Sequence, residues 1–315
     1  MSVLTKQTRG AATLAVPGGK PRRARLKRKN QRSGYLFLLP WFIGMLFTII
    51  PFFASLYLAF TDYNLFTEPN FVGLDNFRAM FEDPRLLQSL KVTFIYTFVS
   101  VPISLAAALL IALVLNRGLQ ALPIYRSVYY LPSLLGGSVA IVMLWRYIFG
   151  NDGIVNGFLG LLGIQGPAWV TDPQFALSTL IVLNVWTFGS PMVIFLAGLR
   201  QVPAMYYEAA SIDGASRWRQ FRSITLPLIS PIIFFNLIMQ LIGSFQTFTQ
   251  GYVMSGGTGG PADSTLFYNL YLYQKGFTEF EMGYASAMAW LLLMIIAIFT
   301  AINFIASKFW VFYDN

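Results

Sequence analysis

Residues 90–115 read LKVTFIYTFVSVPISLAAALLIALVL, an apolar stretch whose only charged residue is Lys91, next to its start. About 20 apolar residues in a helix are enough to cross the hydrocarbon core of a membrane. Strands of membrane barrels are shorter and alternate in polarity, and lipid requires every backbone amide to be satisfied within the segment. The stretch therefore predicts a transmembrane α-helix.

Five more blocks of this kind occur along the chain, and composition agrees with them. Of the 315 residues, 56% are hydrophobic and 11% are charged, whereas about one-quarter of an ordinary soluble domain is charged. We predict an all-α polytopic membrane protein with six transmembrane helices in a domain at 35–306. The spans are placed near 35–60, 90–115, 128–149, 176–199, 229–250 and 284–306.

The basic residues are concentrated on one side of these spans. Of 22 Lys and Arg residues, ten lie in the tail at 1–34, and seven more follow the second, fourth and sixth spans. Ten of the 13 acidic residues lie in the opposite loops, including the loop at 61–89. By the positive-inside rule both termini, with the tails at 1–34 and 307–315, are cytoplasmic and the loop at 61–89 is external.

The basic tail has a second interpretation, which is an arm that binds nucleic acid. Because the tail directly precedes an apolar block, retention in the cytoplasm explains its charge, and we expect a lipid bilayer and no nucleic acid as its partner.

Several chemistries are excluded by residues that the chain lacks. It has no Cys and no His, so it has no thiolate nucleophile, no disulfide and no Cys or His metal site. The phosphate-binding pattern GxxxxGK[ST] is also missing. We therefore expect no catalytic residue, no metal and no bound cofactor, and the chain itself is not expected to be an enzyme.

The cytoplasmic loop at 200–228 joins the fourth and fifth spans and predicts two short helices. AMYYEAASI reads as the first helix, Gly214 as the turn, and ASRWRQFRSI as the second helix. Small residues at Ala209, Ala210 and Ala215 let another body approach closely. The loop is interpreted as a docking lever; the alternative is an amphipathic helix on lipid headgroups, anchored by Trp218.

The sequence EAASIDGASRWRQFRSITLPLISP at 208–231 resembles the EAA loop of ABC importer permeases. In that family the loop is the coupling helix, which fits a cleft on the ATPase subunit. The resemblance implies a coupling role for this loop, including Asp213 and Ala215 beside the central glycine. The positions that match the motif are Glu208, Ala209, Ala210, Gly214, Ile224, Leu226 and Pro227.

The resemblance extends along the chain to sugar permeases of the maltose and glycerol-phosphate type. It is carried by LLPWFIGMLFTIIPFFASLYLAFTDYN at 38–64, VGLDNF at 72–77, YLPSLLGGSVAIVMLWRYIF at 130–149, GGPADST at 259–265 and GYASA at 283–287. The first span is similar to the first permease subunit of such pairs. This implies a type I ABC importer permease of the bacterial inner membrane, in a heterodimer with a second permease. The other implied partners are two ATPase subunits using ATP and Mg, an extracytoplasmic solute-binding protein, and a sugar or oligosaccharide.

Polar side chains inside the spans mark a candidate translocation pathway. In the fifth span, Asn236, Gln240, Ser244 and Thr247 are spaced to line one helical face, and the fourth span offers Asn184 and Trp186. Amides and hydroxyls bind sugar hydroxyls, and an aromatic face covers the C–H surface. The alternative is that these side chains only hold helices together.

A second function class is an ion-gradient-driven secondary transporter or a channel. It predicts charged residues within the spans as ion sites, and the six blocks contain essentially none. A membrane-embedded enzyme would need acids, bases or metal ligands clustered at one depth, and the sequence offers no such cluster.

Overall fold

The computed structural model describes residues 26–118 and 120–312, with side chains described from residue 35 except at 119. Residues 1–25 of the predicted tail at 1–34 therefore lie outside the described residues. The first helix begins at Leu26, nine residues before the predicted start of the first span. The last helix ends at Trp310, four residues past the predicted end of the sixth span.

The described residues form helices and loops, with one isolated antiparallel bridge between Thr61 and Phe71. Two π-helical turns occupy Phe221–Thr225 and Gln274–Thr278. The α-helices are α1 (Leu26–Leu58), α2 (Asp75–Glu82), α3 (Pro84–Leu115), α4 (Leu122–Leu135), α5 (Val139–Ile148), α6 (Ile154–Leu161), α7 (Ala176–Trp186), α8 (Gly189–Leu199), α9 (Ala204–Ile212), α10 (Arg217–Gln220), α11 (Leu226–Leu228), α12 (Ser230–Phe245), α13 (Thr249–Ser255), α14 (Tyr268–Tyr273) and α15 (Met282–Trp310).

Up to six of these segments are long and apolar enough to cross a membrane. Four pass this test as single segments: Tyr35–Leu58, α3, Ala176–Leu199 and α15. Two more are bent pairs, α4 with α5 at 98° and Arg217–Leu228 with α12 at 64°. Counting each bent pair as one span gives six crossings, in agreement with the six predicted.

The third predicted span differs from the structure because 128–149 is not one continuous helix. The chain turns sharply at Gly136 and Gly137, and the hydroxyl of Ser138 accepts a hydrogen bond from the amide of Ile141 at 3.3 Å to begin α5. An N-cap of this kind satisfies an amide that has no partner in the helix. The break is therefore built from local residues that the apolar composition of the block obscured.

The chain forms two compact units, one ending at Ala54 and one beginning at Ser55. In the first unit, nearly all side chains from Tyr35 to Ala54 are exposed. They are predominantly apolar, and Pro40 and Pro51 lie within the helix. Such a surface suits lipid as its solvent.

In the second unit α3 is the central helix and packs against α7, α8 and α12. One hydrophobic cluster surrounds the N-terminal half of α3 and includes Tyr96, Phe245 and Tyr268. Another surrounds the C-terminal half, where Ala108 and Ala112 are fully buried. Small residues there let neighbouring helices approach closely.

The loop after α1 is tied to the start of α15. The side-chain amide of Asn76 donates to the carbonyls of Ala59 at 2.9 Å and Thr61 at 2.8 Å. The amide of Gly283 donates to the carbonyl of Tyr63 at 2.8 Å. A Cβ at Gly283 would collide with the Thr61 carbonyl, so this junction requires glycine.

Candidate functional site

A cavity of about 290 Å³ lies among α3, α7, α8, α12 and the bend between α4 and α5. We call it the polar cavity, because most of its lining side chains carry a hydroxyl or a carboxamide and none is charged. The polar lining residues are Tyr96, Ser104, Ser133, Asn184, Thr187, Ser190, Gln240, Ser244 and Gln250. A neutral ligand rich in hydroxyl groups fits this chemistry.

Two helix breaks face each other at the polar cavity. One is the bend at Gly136, and the other is the interruption between α7 and α8. A Cβ at Gly136 would collide with the methyl group of Thr187, and a Cβ at Gly189 would collide with the Tyr129 carbonyl. Glycine at both positions therefore lets α4 and α8 come close enough to shape the wall of the cavity.

Some side chains of the polar cavity keep an oxygen that can accept a hydrogen bond from a ligand. The hydroxyls of Ser133 and Thr187 donate to carbonyls of their own helices, those of Tyr130 at 2.8 Å and Asn184 at 2.7 Å. The side chain of Asn184 neighbours the Tyr96 hydroxyl, yet its carboxamide oxygen is buried and makes no hydrogen bond of good geometry with the described residues. An unmet acceptor of this kind favours a ligand hydroxyl or water as its partner.

Three of the six predicted pathway residues line the polar cavity, namely Asn184, Gln240 and Ser244. Gln240 donates to the hydroxyl of Ser104 at 3.4 Å, which joins α12 to α3 across the cavity. Residues from the fourth and fifth spans therefore converge as the sequence suggested, although their contact with substrate stays a prediction.

The other three predicted residues are not among those that line the polar cavity, although the side chain of Thr247 neighbours the hydroxyl of Tyr96. The side chain of Asn236 is buried and donates to the carbonyl of Ile232 at 3.0 Å within its own helix. Trp186 packs against Trp145, with ring centroids 5.5 Å apart. Thr247 lies beyond the end of α12 at Phe245, so the predicted four-residue helical face is wrong at that position. The spacing places Thr247 on the same face only if the helix continues to that residue.

Sequence reasoning did not single out the contribution of α3 to the polar cavity, although a signal for it exists. Buried hydroxyl residues recur along one face of α3 at helical spacing: Ser89, Thr93, Thr97, Ser100 and Ser104. The last of them lines the cavity. The periodicity that indicated α12 would have indicated α3 as well.

The loop at 200–228 contains two short helices joined at Gly214, as predicted. Gly214 has φ +74°, and its amide donates to the carbonyl of Ser211 at 3.1 Å. The amide of Ala215 donates to the carbonyl of Ala210 at 2.9 Å. Together these bonds form a Schellman motif, the helix end that favours glycine. The hydroxyl of Ser216 then caps α10.

Side-chain bonds hold these two helices together while one face stays accessible. The hydroxyls of Tyr207 and Thr225 lie 2.9 Å apart, and the Gln220 side chain donates to the Ser211 hydroxyl at 3.0 Å. Of the predicted coupling residues, the exposed ones are Glu208, Ala209, Asp213, Gly214 and Leu226, and the partly buried ones are Ala210, Ala215, Ile224 and Pro227. A firmly held, exposed face suits a docking lever.

A second polar centre, which the sequence did not reveal, lies at the start of α3. The carboxylate of Asp83 accepts hydrogen bonds from the amide of Leu86 at 3.2 Å and from the hydroxyls of Tyr271 at 2.6 Å and Tyr284 at 2.8 Å. Burial opposes ionisation, but these hydrogen bonds outweigh it and lower the pKa of Asp83 below 3.8. Because folding lowers the pKa of Asp83, these bonds stabilise the fold fully at a pH above the pKa of the unfolded state. The stabilisation is lost as the pH falls through the pKa of the folded state.

Ion pairs extend this centre. Arg85 pairs with Asp263 at 3.2 Å, while Lys275 contacts Glu279 at 2.7 Å and Glu281 at 3.0 Å. Burial tends to lower the pKa of Lys275, and the two carboxylates outweigh it and raise the pKa above its usual range. The Arg85–Asp263 pair and the Asp83 hydrogen bonds fasten the segment before α15 to the start of α3, and no residue named here lines the polar cavity.

Comparison with known proteins places the fold and site in context. The family described as binding-protein-dependent transport system inner membrane component matches residues 36–310. The chain is 53% identical to the probable ABC transporter permease protein YesP of Bacillus subtilis strain 168, over 93% of this chain and 96% of that protein. It is 33% identical to the lactose transport system permease protein LacF of Rhizobium radiobacter, over 91% and 97% respectively.

Solved structures share the fold. A bacterial alginate ABC transporter, in complex with a periplasmic protein that holds an alginate pentasaccharide, contains a chain with a TM-score of 0.77 at 22% identity. The match covers 91% of this chain and 98% of that one. At this identity the likeness establishes the architecture of an importer permease.

Proposed function

The chain belongs to the family of binding-protein-dependent transport system inner membrane components, and on that premise we propose that it imports a sugar or oligosaccharide. The polar cavity carries the proposal. Its volume of about 290 Å³ is at the lower end of the range for small-molecule sites. Its neutral hydroxyl and carboxamide lining suits a polyhydroxylated cargo. Lactose, for which one relative is named, is a cargo of this kind.

The cavity belongs to one permease subunit, and we propose that a second, different permease completes the pathway. An extracytoplasmic solute-binding protein delivers the sugar from the side of the loop at 61–89. Two ATPase subunits, which bind ATP and Mg, dock on α9 and α10. The exposed face around Glu208 and Gly214 supports this docking, and the missing GxxxxGK[ST] pattern explains why energy comes from a partner.

The proposal is tested by measuring sugar uptake by the assembled complex with Gln240→Leu and Ser244→Ala. Each variant removes a hydrogen-bonding group from the polar cavity. One neutral hydrogen bond contributes about 0.5–1.5 kcal/mol, so we expect the KM for the transported sugar to rise about twofold to tenfold. Uptake across a panel of neutral sugars identifies the cargo that shows this effect.

Asn236→Ala is the matched control, because Asn236 lies in the same helix but its side chain donates to the carbonyl of Ile232 and does not line the polar cavity among the described residues. We expect its KM to match that of the wild type, while its stability falls. Unchanged KM values for both cavity variants would contradict a sugar site in the polar cavity. The same rise in KM for the control would assign the effect to α12 as a whole.

A further inference from the structure

A second cavity, of about 480 Å³, lies between α4 and α8 and borders the polar cavity. Ser190 lines both of them. The α4 side carries Arg126, Ser127 and Tyr130, which share one helical face. We call this the Arg126 groove. Since α4 begins just after the loop at 116–121, the groove leads from the polar cavity toward the predicted cytoplasmic side.

Arg126 gives this groove an unbalanced positive charge. Arg126 is partly buried as a residue, and its guanidinium makes no ion pair with any residue in the described part of the chain. A partly buried cation without a counter-ion is costly. The planar guanidinium matches a carboxylate with two parallel hydrogen bonds, so the groove offers an anion site that the protein itself leaves unfilled.

We propose that the Arg126 groove binds the carboxylate of an acidic sugar on its way from the polar cavity to the cytoplasm. This inference rests on the proposed function and narrows its cargo to sugars that contain a uronate. The polar cavity holds the hydroxyl groups of the sugar, and Arg126 provides the charge that the polar cavity lacks. The hydroxyl oxygens of Ser127, Tyr130 and Ser190 can accept hydrogen bonds from the sugar hydroxyls next to the carboxylate. The Ser127 proton is donated to the Pro123 carbonyl at 3.0 Å.

Lipid phosphate is the competing occupant, because an arginine near the end of a span also reaches headgroups. Two features favour the sugar. The groove adjoins the polar cavity, since Ser190 lines both, and three of its seven lining residues place a hydroxyl near the guanidinium, which suits sugar oxygens better than acyl chains.

The test uses the purified complex of this chain with its second permease and ATPase subunits, in detergent without added lipid. Binding of digalacturonate is compared with binding of its dimethyl ester, the same sugar without charge. The variants are Arg126→Gln, which removes the charge, and Arg126→Lys, which keeps it. Arg117→Gln is the control, because Arg117 is exposed, lies on the same side and is not in the groove.

We expect the wild type to bind the acid more tightly than the ester. We expect added salt to weaken binding of the acid but not binding of the ester. A hydrogen-bonded charge pair is worth about 1.5–3 kcal/mol, so Arg126→Gln should weaken binding of the acid about tenfold to hundredfold. Binding of the ester should stay unchanged in this variant. Arg126→Lys should retain part of the preference, and Arg117→Gln all of it.

Equal binding of acid and ester by the wild type would overturn this inference alone, because a bound ester still reports on the polar cavity. Loss of phosphatidylglycerol from Arg126→Gln in native mass spectra, with sugar binding unchanged, would reassign the groove to lipid. No binding of either sugar would overturn the inference and count against a carbohydrate cargo as well.

Discussion

At the scale of single residues, Gly214 connects local conformation most directly to function. Its φ of +74° lies in the left-handed region, and a Cβ there would meet no atom within 4 Å. A substitution therefore acts through the backbone, at about 1–2 kcal/mol, and not through a collision. The Schellman turn sets the direction in which α10 leaves α9.

We predict that Gly214→Val leaves the permease inserted and assembled but lowers the amount of sugar transported per ATP hydrolysed. Transport and hydrolysis are measured together in proteoliposomes. Gly118→Val is the control, because Gly118 has φ +79° and equally open surroundings but lies outside the coupling loop. Normal stoichiometry in Gly214→Val and in Glu208→Lys would contradict the coupling role.

The residue scale also shows which interactions a sequence conceals. The Gly214 turn was predicted because its partners are its chain neighbours and its signal is local. The partners of Asp83 were not predicted, since Tyr271 and Tyr284 lie 188 and 201 positions away. No local preference of an aspartate indicates which distant hydroxyls the fold brings to it.

At the scale of elements, the paired helix breaks at the polar cavity act as one unit. A Cβ at Gly136 collides with the methyl group of Thr187, so the spacing of the two breaks depends on both residues. We predict that Gly136→Ala lowers the thermal stability of the complex and its uptake, and that adding Thr187→Ser restores much of both. Serine removes the colliding methyl group and retains the hydroxyl.

The control for this pair is Thr187→Ser alone, which should resemble the wild type. If the double variant loses as much stability and uptake as Gly136→Ala does, the two breaks are not coupled through this contact.

The elements also show where helical periodicity fails as a guide. It placed Gln240 and Ser244 on one face correctly, but it could not show that α12 ends before Thr247, because an ending without glycine or proline leaves little local signal.

At the scale of the whole molecule, the distribution of charge predicts the source of energy. Among the described residues, no charged side chain lines the polar cavity, so that site lacks the carboxylate that a proton-coupled transporter would use. We predict that uptake in intact cells stops when ATP is depleted and continues when an uncoupler dissipates the ion gradients while ATP is maintained. The opposite pattern would support the ion-gradient alternative.

The prediction of six spans, and of a cytoplasmic position for the loop at 200–228, rests on composition and charge alone. Transfer into lipid depends on how many apolar residues follow one another, and orientation depends on where lysines and arginines lie. Both are properties of consecutive residues, so they can be read without knowing the fold. The motif at 208–231 is equally local.

Which polar side chains meet in one cavity depends on packing among distant segments. Gln240 and Ser104 are 136 positions apart, and the neighbouring groove that contains Arg126 forms between α4 and α8, which pack closely at Gly189. Within a span, a hydroxyl that holds helices together and one that lines a cavity look alike in sequence. The difference arises from which neighbours exclude lipid around it, and that is a property of the assembled helices.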